Sequence, residues 1–179
     1  MTANIRDATI GDVAGIAKVR VETWRAAYGG LVPQAVLDRM DVERETARRM
    51  EHWDDTHADA RCHDLVAVVD GEVVGWAMCG PARDADAPAT GEVYAIYAHA
   101  SRWSRGVGNA LLTELERRLL ADGHETAYLW RLVGNARAEH FYEAHGWHAD
   151  GGEKVEEGMR ELRHVRTLAS PLAPGSGLV

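Results

Sequence analysis

Apolar positions change their period several times along this chain, and the changes mark out its elements. A short strand is expected around Asn4 to Ala8. Thr9 then stands three residues before Asp12, a capping-box-like helix start. From there Val13, Ile16, Ala17, Val21, Trp24 and Tyr28 recur at helical spacing until Gly29-Gly30 ends the run. Pro33 suits the first turn of a second short helix reaching Met40, and Asp41 can cap a third over Val42 to Trp53. Residues 52–64 are polar and without period. Strands follow over Leu65–Val69 and Glu72–Cys79, joined by Asp70-Gly71, a two-residue hairpin signal. The stretch 81–90 is a loop by composition. A strand over 92–98 precedes a Gly-containing turn at 103–108 and a helix whose Leu111, Leu112, Leu115, Leu119 and Leu120 keep a 3.6 period to Ala121, with Gly123 as its stop. Thr126–Leu132 reads as a strand and Asn135–His145 as a helix ended by Gly146. Trp147 and the 159–168 stretch suggest two closing strands. The pattern predicts an α/β (α+β) domain over residues 1–170 with a mixed sheet, and a flexible C-terminal tail over 171–179.

Composition narrows the classes. The 179 residues suffice for one domain with a buried core, and 46% hydrophobic with 27% charged residues is an ordinary globular profile. The net charge of −8 argues against a nucleic-acid partner, which calls for a basic face, and mildly favours a cationic small substrate. No apolar run approaches the roughly 20 residues that span a bilayer, and the N-terminus lacks a leader pattern, so no membrane partner and a cytoplasmic location are expected. In the Asp70-Gly71 hairpin register Cys62 faces Cys79, which makes a cross-strand disulfide conceivable; two reduced thiols fit a cytoplasmic chain better.

The segment Trp103-Ser104-Arg105-Gly106-Val107-Gly108 lies between a strand and a helix start. The first N–H groups of a helix lack intrahelical partners, and the helix dipole adds partial positive charge at that end. Phosphate groups commonly occupy such a place. The turn is no P-loop, because no Gly-Lys-Ser/Thr follows, and no dinucleotide fingerprint, because position 111 is Leu rather than a third Gly.

Two further segments fix the context: the strand 92–98 directly upstream, and Asn135, Ala138, Phe141, Tyr142, Gly146 and Trp147 downstream. In this order and spacing they resemble the GNAT superfamily of acetyl-CoA-dependent N-acetyltransferases, whose turn reads Gln/Arg-x-x-Gly-x-Gly/Ala and whose later helix reads Asn-x-x-Ala-x-x-Phe-Tyr-x-x-x-Gly-Phe. Trp24-Arg25-Ala26-Ala27-Tyr28, Leu31 and Pro33 resemble the opening of a subgroup. Two departures stand out: Trp103 occupies the Gln/Arg position, and Ser104 a place where many relatives carry Gly.

The resemblance implies a single domain with a mixed, mostly antiparallel sheet flanked by helices, its fourth and fifth strands splayed around the cofactor's pantetheine arm. It implies acetyl-CoA as cosubstrate, with Ile96, Tyr97 and Ala98 along the arm, the amides of Ser104, Arg105, Gly106, Val107, Gly108 and Asn109 around the pyrophosphate, and Asn135 bonding the arm besides capping its helix. Arg102 and Arg105 could add charge, though a solvated Arg102 is the plainer reading. Glu92 is implied as general base, standing where the histone-acetyltransferase branch carries its base; strand parity places 92, 94, 96 and 98 on one face. Tyr142 is implied as the acid that protonates the leaving thiolate, and a strand-four amide such as that of Ala98 as the oxyanion donor. Trp24 and Tyr28 are core by periodicity, but the first helices of the family cover the acceptor pocket, where they would line it.

The acceptor stays open among a small metabolite, an antibiotic, a peptide N-terminus and a protein lysine, with a small-molecule amine favoured over a protein lysine. Many relatives dimerise, which adds a homodimer to the expectations. A non-catalytic acyl-CoA sensor on the same fold, and a nucleotide-binding module, are the rival classes. His52, His57, Cys62 and His63 with their acidic neighbours match no zinc spacing, and no metal is expected.

Overall fold

The computed structural model describes residues 3–168, so the tail expected over 171–179 lies outside the described residues. In chain order the elements are β1 (Asn4–Asp7), α1 (Val13–Tyr28), α2 (Gln34–Asp38), α3 (Val42–Glu51), α4 (Trp53–Thr56), β2 (His63–Val69), β3 (Glu72–Pro81), β4 (Gly91–Ala98), α5 (Val107–Ala121), β5 (Thr126–Leu132), α6 (Ala136–Ala144), β6 (His148–Glu156) and β7 (Met159–Thr167). The seven strands form one sheet in the order β1-β2-β3-β4-β5-β7-β6. Every neighbour pair is antiparallel except β4 and β5, which run parallel.

Local chemistry explains the main boundaries. The Asp12 carboxylate accepts from the Thr9 amide at 2.8 Å and from both terminal nitrogens of Arg6, which fixes the entry to α1. The chain enters through a single 3-10 turn over Ile10–Asp12 before α1 proper begins. Asp70 (φ 54°) and Gly71 (φ 83°) form the tight β2–β3 turn that the Asp-Gly pair signals. The stretch 52–64 is more ordered than its polarity suggests. It holds α4, across whose end the Trp53 and His57 rings meet at 4.0 Å with a 31° tilt, and the first residues of β2.

The central strands are covered on both faces. On one, α5 presents Leu111, Leu112, Leu115 and Leu119, all fully buried, to Leu65, Ala67, Ala77, Cys79, Val93 and Leu129. Each such leucine contributes about 2 kcal/mol of apolar burial. On the other, Ile16 and Val19 of α1 pack on Val66 and Trp76, with Met78, Ala95 and Tyr97 around them.

Two bulges reset strand phase. Val68 pairs with Val73 but Ala67 with Gly75, so Val74 is an extra residue in β3. Cys79 therefore faces His63 rather than Cys62, and both thiols are free; burial pushes the Cys79 thiol up to about 12. Likewise Met78 pairs with Ala95 but Cys79 with Val93, so Tyr94 is extra in β4. Glu92 is thus in phase with Ala95 and Tyr97 on the α1 face. The expected grouping of 92 with 96 and 98 does not hold, because one inserted residue inverts a period of two.

Candidate active site

The central feature is a split between two parallel strands. β4 and β5 pair through only three rungs, the last being Val93–Leu129. Beyond it β4 runs on to Ala98 and β5 to Leu132 without pairing, which leaves the β5-facing backbone of 94–98 without a strand partner. Backbone groups so placed must find another partner, so a split of this kind accommodates an extended ligand.

Two cavities meet at the split. A groove of about 640 Å³ runs past Ile96, Tyr97 and Ala98 to Trp103, Ser104, Gly106, Gly108 and Asn109, with Asn135, Phe141 and Tyr142 opposite. A smaller cavity of about 210 Å³ opens on the α1 face between Glu92, Tyr94, Trp130, Lys154, Glu156 and Glu161. Ile96, Tyr97 and Tyr142 line both. The two spaces are therefore neighbours across these three side chains.

At the wide end the turn 103–108 leads directly into the start of α5. Gly106 (φ 83°) caps α5, and its carbonyl accepts the first helical bond, from Ala110. The amides of Val107, Gly108 and Asn109 therefore have no intrahelical partner. Ser104 also takes a left-handed backbone (φ 58°), the conformation for which glycine is best suited. Arg105 departs from expectation: its amide donates to the Arg102 carbonyl at 3.3 Å, and its side chain is exposed away from the groove lining. Arg102, for which a solvated role was the plainer reading, lines the groove together with Arg137.

Trp103, the odd residue at the head of this turn, has a definite role. Its indole N–H donates to the Ala98 carbonyl at 2.8 Å, and the Arg137 guanidinium sits 4.3 Å from its ring centroid. Thr23 of α1 donates to the same carbonyl at 3.2 Å. Asn135 caps α6 by accepting from the Ala138 amide, and it also lines the groove.

At the narrow end, Glu92 is only 2% exposed. Its carboxylate accepts from the Arg83 amide (3.0 Å), Nε (3.1 Å) and Nη2 (2.6 Å), and from the Tyr128 hydroxyl (2.8 Å). Such a bidentate pair fixes the plane of the carboxylate. Arg83 also lies over the Tyr94 ring at 4.0 Å. Neither Arg83 nor Tyr128 was visible as a partner in sequence. Arg83 sits in an irregular loop, and Tyr128 reads as an ordinary strand residue.

Tyr142 sits at the meeting point, buried on α6. Burial raises its phenol above the ordinary 10, against an opposing effect from the nearby Arg131 cation, which is itself buried and paired with Glu139 at 2.7 Å. Trp24 and Tyr28 stack edge to face at 4.8 Å and pack with Val32, Leu37 and Leu132; neither lines the two cavities. Burial raises the Tyr28 phenol, and Tyr97, Tyr142 and Glu161 add to that against a lowering by Asn135. Among the described residues no group of three or more His, Cys, Asp or Glu side chains is arranged to hold a metal ion. None of the described helices is long and apolar enough to cross a membrane.

Known proteins share this architecture. The chain is 29% identical over 164 residues to the uncharacterized N-acetyltransferase YuaI of Bacillus subtilis (strain 168), a match covering 90% of this chain and 87% of that one. PaiA N-acetyltransferase from Thermoplasma acidophilum, solved in complex with coenzyme A, superposes with a TM-score of 0.74 at 18% identity, covering 91% of this chain and 98% of its own. YncA from Salmonella typhimurium, solved with its cofactor acetyl-CoA, superposes with a TM-score of 0.67 at 20% identity, covering 98% and 99%. The sequence model of the acetyltransferase (GNAT) family matches residues 18–147, spanning the anion turn, the split strands and the Phe141-Tyr142 helix. This chain therefore belongs to the GNAT family of acetyltransferases.

Proposed function

We propose that the protein transfers an acetyl group from acetyl-CoA to a primary amine of a small molecule, by direct attack and with no covalent enzyme intermediate. The observation that carries this reading is the β4–β5 split beyond Val93–Leu129, with the free amides of α5 at one end and a carboxylate-lined cavity at the other. The residues fit the cofactor. Unpaired strand backbone suits the amides of its arm, and the Val107–Asn109 amides with Arg102 suit its pyrophosphate.

The cofactor supplies a thioester. The amine forms a new C–N bond to the acetyl carbon, and the C–S bond breaks. A lysine-like amine has a pKa near 10.4, so only about one in 2,500 is neutral at pH 7, equivalent to about 4.6 kcal/mol. Glu92 is the proposed proton acceptor. Because Arg83 and Tyr128 fill its coordination, a bridging water relays the proton to it. The split starts at Tyr94, so an amide of the bulged segment 94–96 is the proposed oxyanion donor in place of that of Ala98, five residues beyond the last rung. The buried Tyr142 phenol then protonates the thiolate, and the acylated nitrogen returns its surplus proton through water to the Tyr142 phenolate.

Incubation with acetyl-CoA and a panel of primary amines, following free thiol, tests the reading. Amine-dependent thiol release is expected. Acetyl-CoA binding without turnover on any amine would indicate a sensor instead, and no heat of acetyl-CoA binding in calorimetry would overturn both.

A further inference from the structure

The chain contains two lysines among its 179 residues, Lys18 and Lys154. Lys18 is exposed on α1. Lys154, on β6, lies in the small cavity that Glu92 and Tyr142 also line. Its Nζ sits 4.6 Å from the Trp130 ring centroid, 3.4 Å from Glu161 and 3.9 Å from Glu156. Trp130 directly follows Leu129, the β5 member of the last β4–β5 rung. The ammonium therefore rests on the side chain that borders the opening of the split. An aromatic face flanked by carboxylates is how a primary ammonium is held, and here the occupant belongs to the protein itself.

We infer that Lys154 is a self-acetylation site: with acetyl-CoA bound and no acceptor present, its Nζ takes the acetyl group in cis. The inference rests on the acetyltransferase reading above. Lys154 first gives up a proton, by way of water, to Glu92. Its nitrogen then forms a C–N bond to the acetyl carbon as the C–S bond breaks, the thiolate takes a proton from Tyr142, and the acylated nitrogen passes its surplus proton through water to the Tyr142 phenolate. The products are Nε-acetyl-Lys154 and free CoA, with no oxidant or further reactant needed. Acetylation removes the only ammonium in this cavity lining and leaves Glu156 and Glu161 without their Lys154 partner.

The test is residue-level mass spectrometry of the full-length protein after incubation with acetyl-CoA alone. Lys154 is expected to gain acetyl at least tenfold faster than Lys18, which serves as the internal control for spontaneous acylation. The first-order rate constant is expected to be independent of protein concentration. Lys18→Arg should leave Lys154 modification in place, Tyr142→Phe should slow it at least tenfold, and a good amine acceptor should suppress it. Equal labelling of the two lysines, no labelling of Lys154, or a rate proportional to protein concentration would each overturn the inference. Thiol release on the amine panel separates the two levels. Turnover with an unmodified Lys154 rejects the self-acetylation alone, whereas absence of acetyl-CoA binding rejects both.

Discussion

The Trp103 indole N–H and the Ala98 carbonyl lie 2.8 Å apart, so the last residue of β4 is tied to the turn that opens α5. The bond couples the two walls of the large groove, the strand edge and the anion site. Removing it with Trp103→Phe keeps the ring beneath Arg137 and leaves Thr23 as the remaining donor to that carbonyl. A neutral hydrogen bond contributes about 1 kcal/mol. Acetyl-CoA affinity measured by calorimetry should fall about fivefold, with the melting temperature almost unchanged. An unchanged dissociation constant would show that the tie does not shape the groove.

Glu92→Gln keeps the shape of the side chain and removes its charge. The turnover rate should drop by about 10²–10⁴-fold, the usual share of a general base, while acetyl-CoA binding persists. The substitution also leaves the Arg83 guanidinium facing a neutral amide. Arg83 is largely exposed, so the stability cost should stay near 1 kcal/mol. Turnover within threefold of the original would move the base elsewhere.

Tyr142 must be protonated to act as an acid. Burial lifts its phenol above the ordinary 10, so it keeps its proton throughout the neutral and alkaline range. The rate under saturating substrates should therefore show no descending limb up to about pH 10. A fall centred between pH 8 and 9, retained in Tyr142→Phe, would assign the acid role to another group.

Gly75 of β3 lies under the first turn of α5. A methyl group there would come within 2.8 Å of Val107 Cγ1 and 2.9 Å of Leu111 Cδ1. Gly75→Ala should cost about 1–3 kcal/mol by overpacking, and acetyl-CoA affinity should fall with it, because Val107 opens the helix whose amides are proposed to hold the pyrophosphate. Denaturant unfolding and calorimetry on the same variant check both halves.

Acid sensitivity should trace in part to Glu114. Hydrogen bonds from Arg117, then burial acting against them, then hydrogen bonds from Arg118 leave its carboxyl at about 2, down from an ordinary 4.5. A lowered folded value means that the stabilisation is complete above about pH 5 and is lost as pH falls through 4.5 toward 2. After discounting for solvent screening the contribution is about 1 kcal/mol. Glu114→Gln should lower stability at pH 7 and flatten its dependence on pH across that window.

The periodic elements were legible from the residues. The leucines of α5 and the Asp70-Gly71 hairpin stand where pattern and turn chemistry place them, because burial on a helix face and a positive φ leave local signatures. Motif spacing likewise located the anion turn and the Phe141-Tyr142 helix. What escaped was set by strand pairing. The extra Val74 separates Cys79 from Cys62, and the extra Tyr94 turns Glu92 to the other face. Register is a relation between segments, and nothing in one strand announces it. The partners of Glu92 escaped for the same reason, since Arg83 and Tyr128 lie 9 and 36 residues away in sequence. Lys154 drew no notice because a hairpin lysine has no local mark; the sheet brings it beside Trp130.

The added residue at Tyr94 acts as a phase converter within one strand. Were Tyr94 taken into strict alternation instead of bulging out of the ladder, Glu92 would turn toward the leucines of α5, where a carboxylate has no water and no cation. Deleting Tyr94 would make the ladder regular and leave Glu92 opposite Gly80 and Val93 opposite Cys79, on the faces they already hold. Relatives with and without this single insertion would need their acidic residue one position apart to run the same chemistry. Their sequences, aligned column by column, would set unlike faces of the sheet side by side.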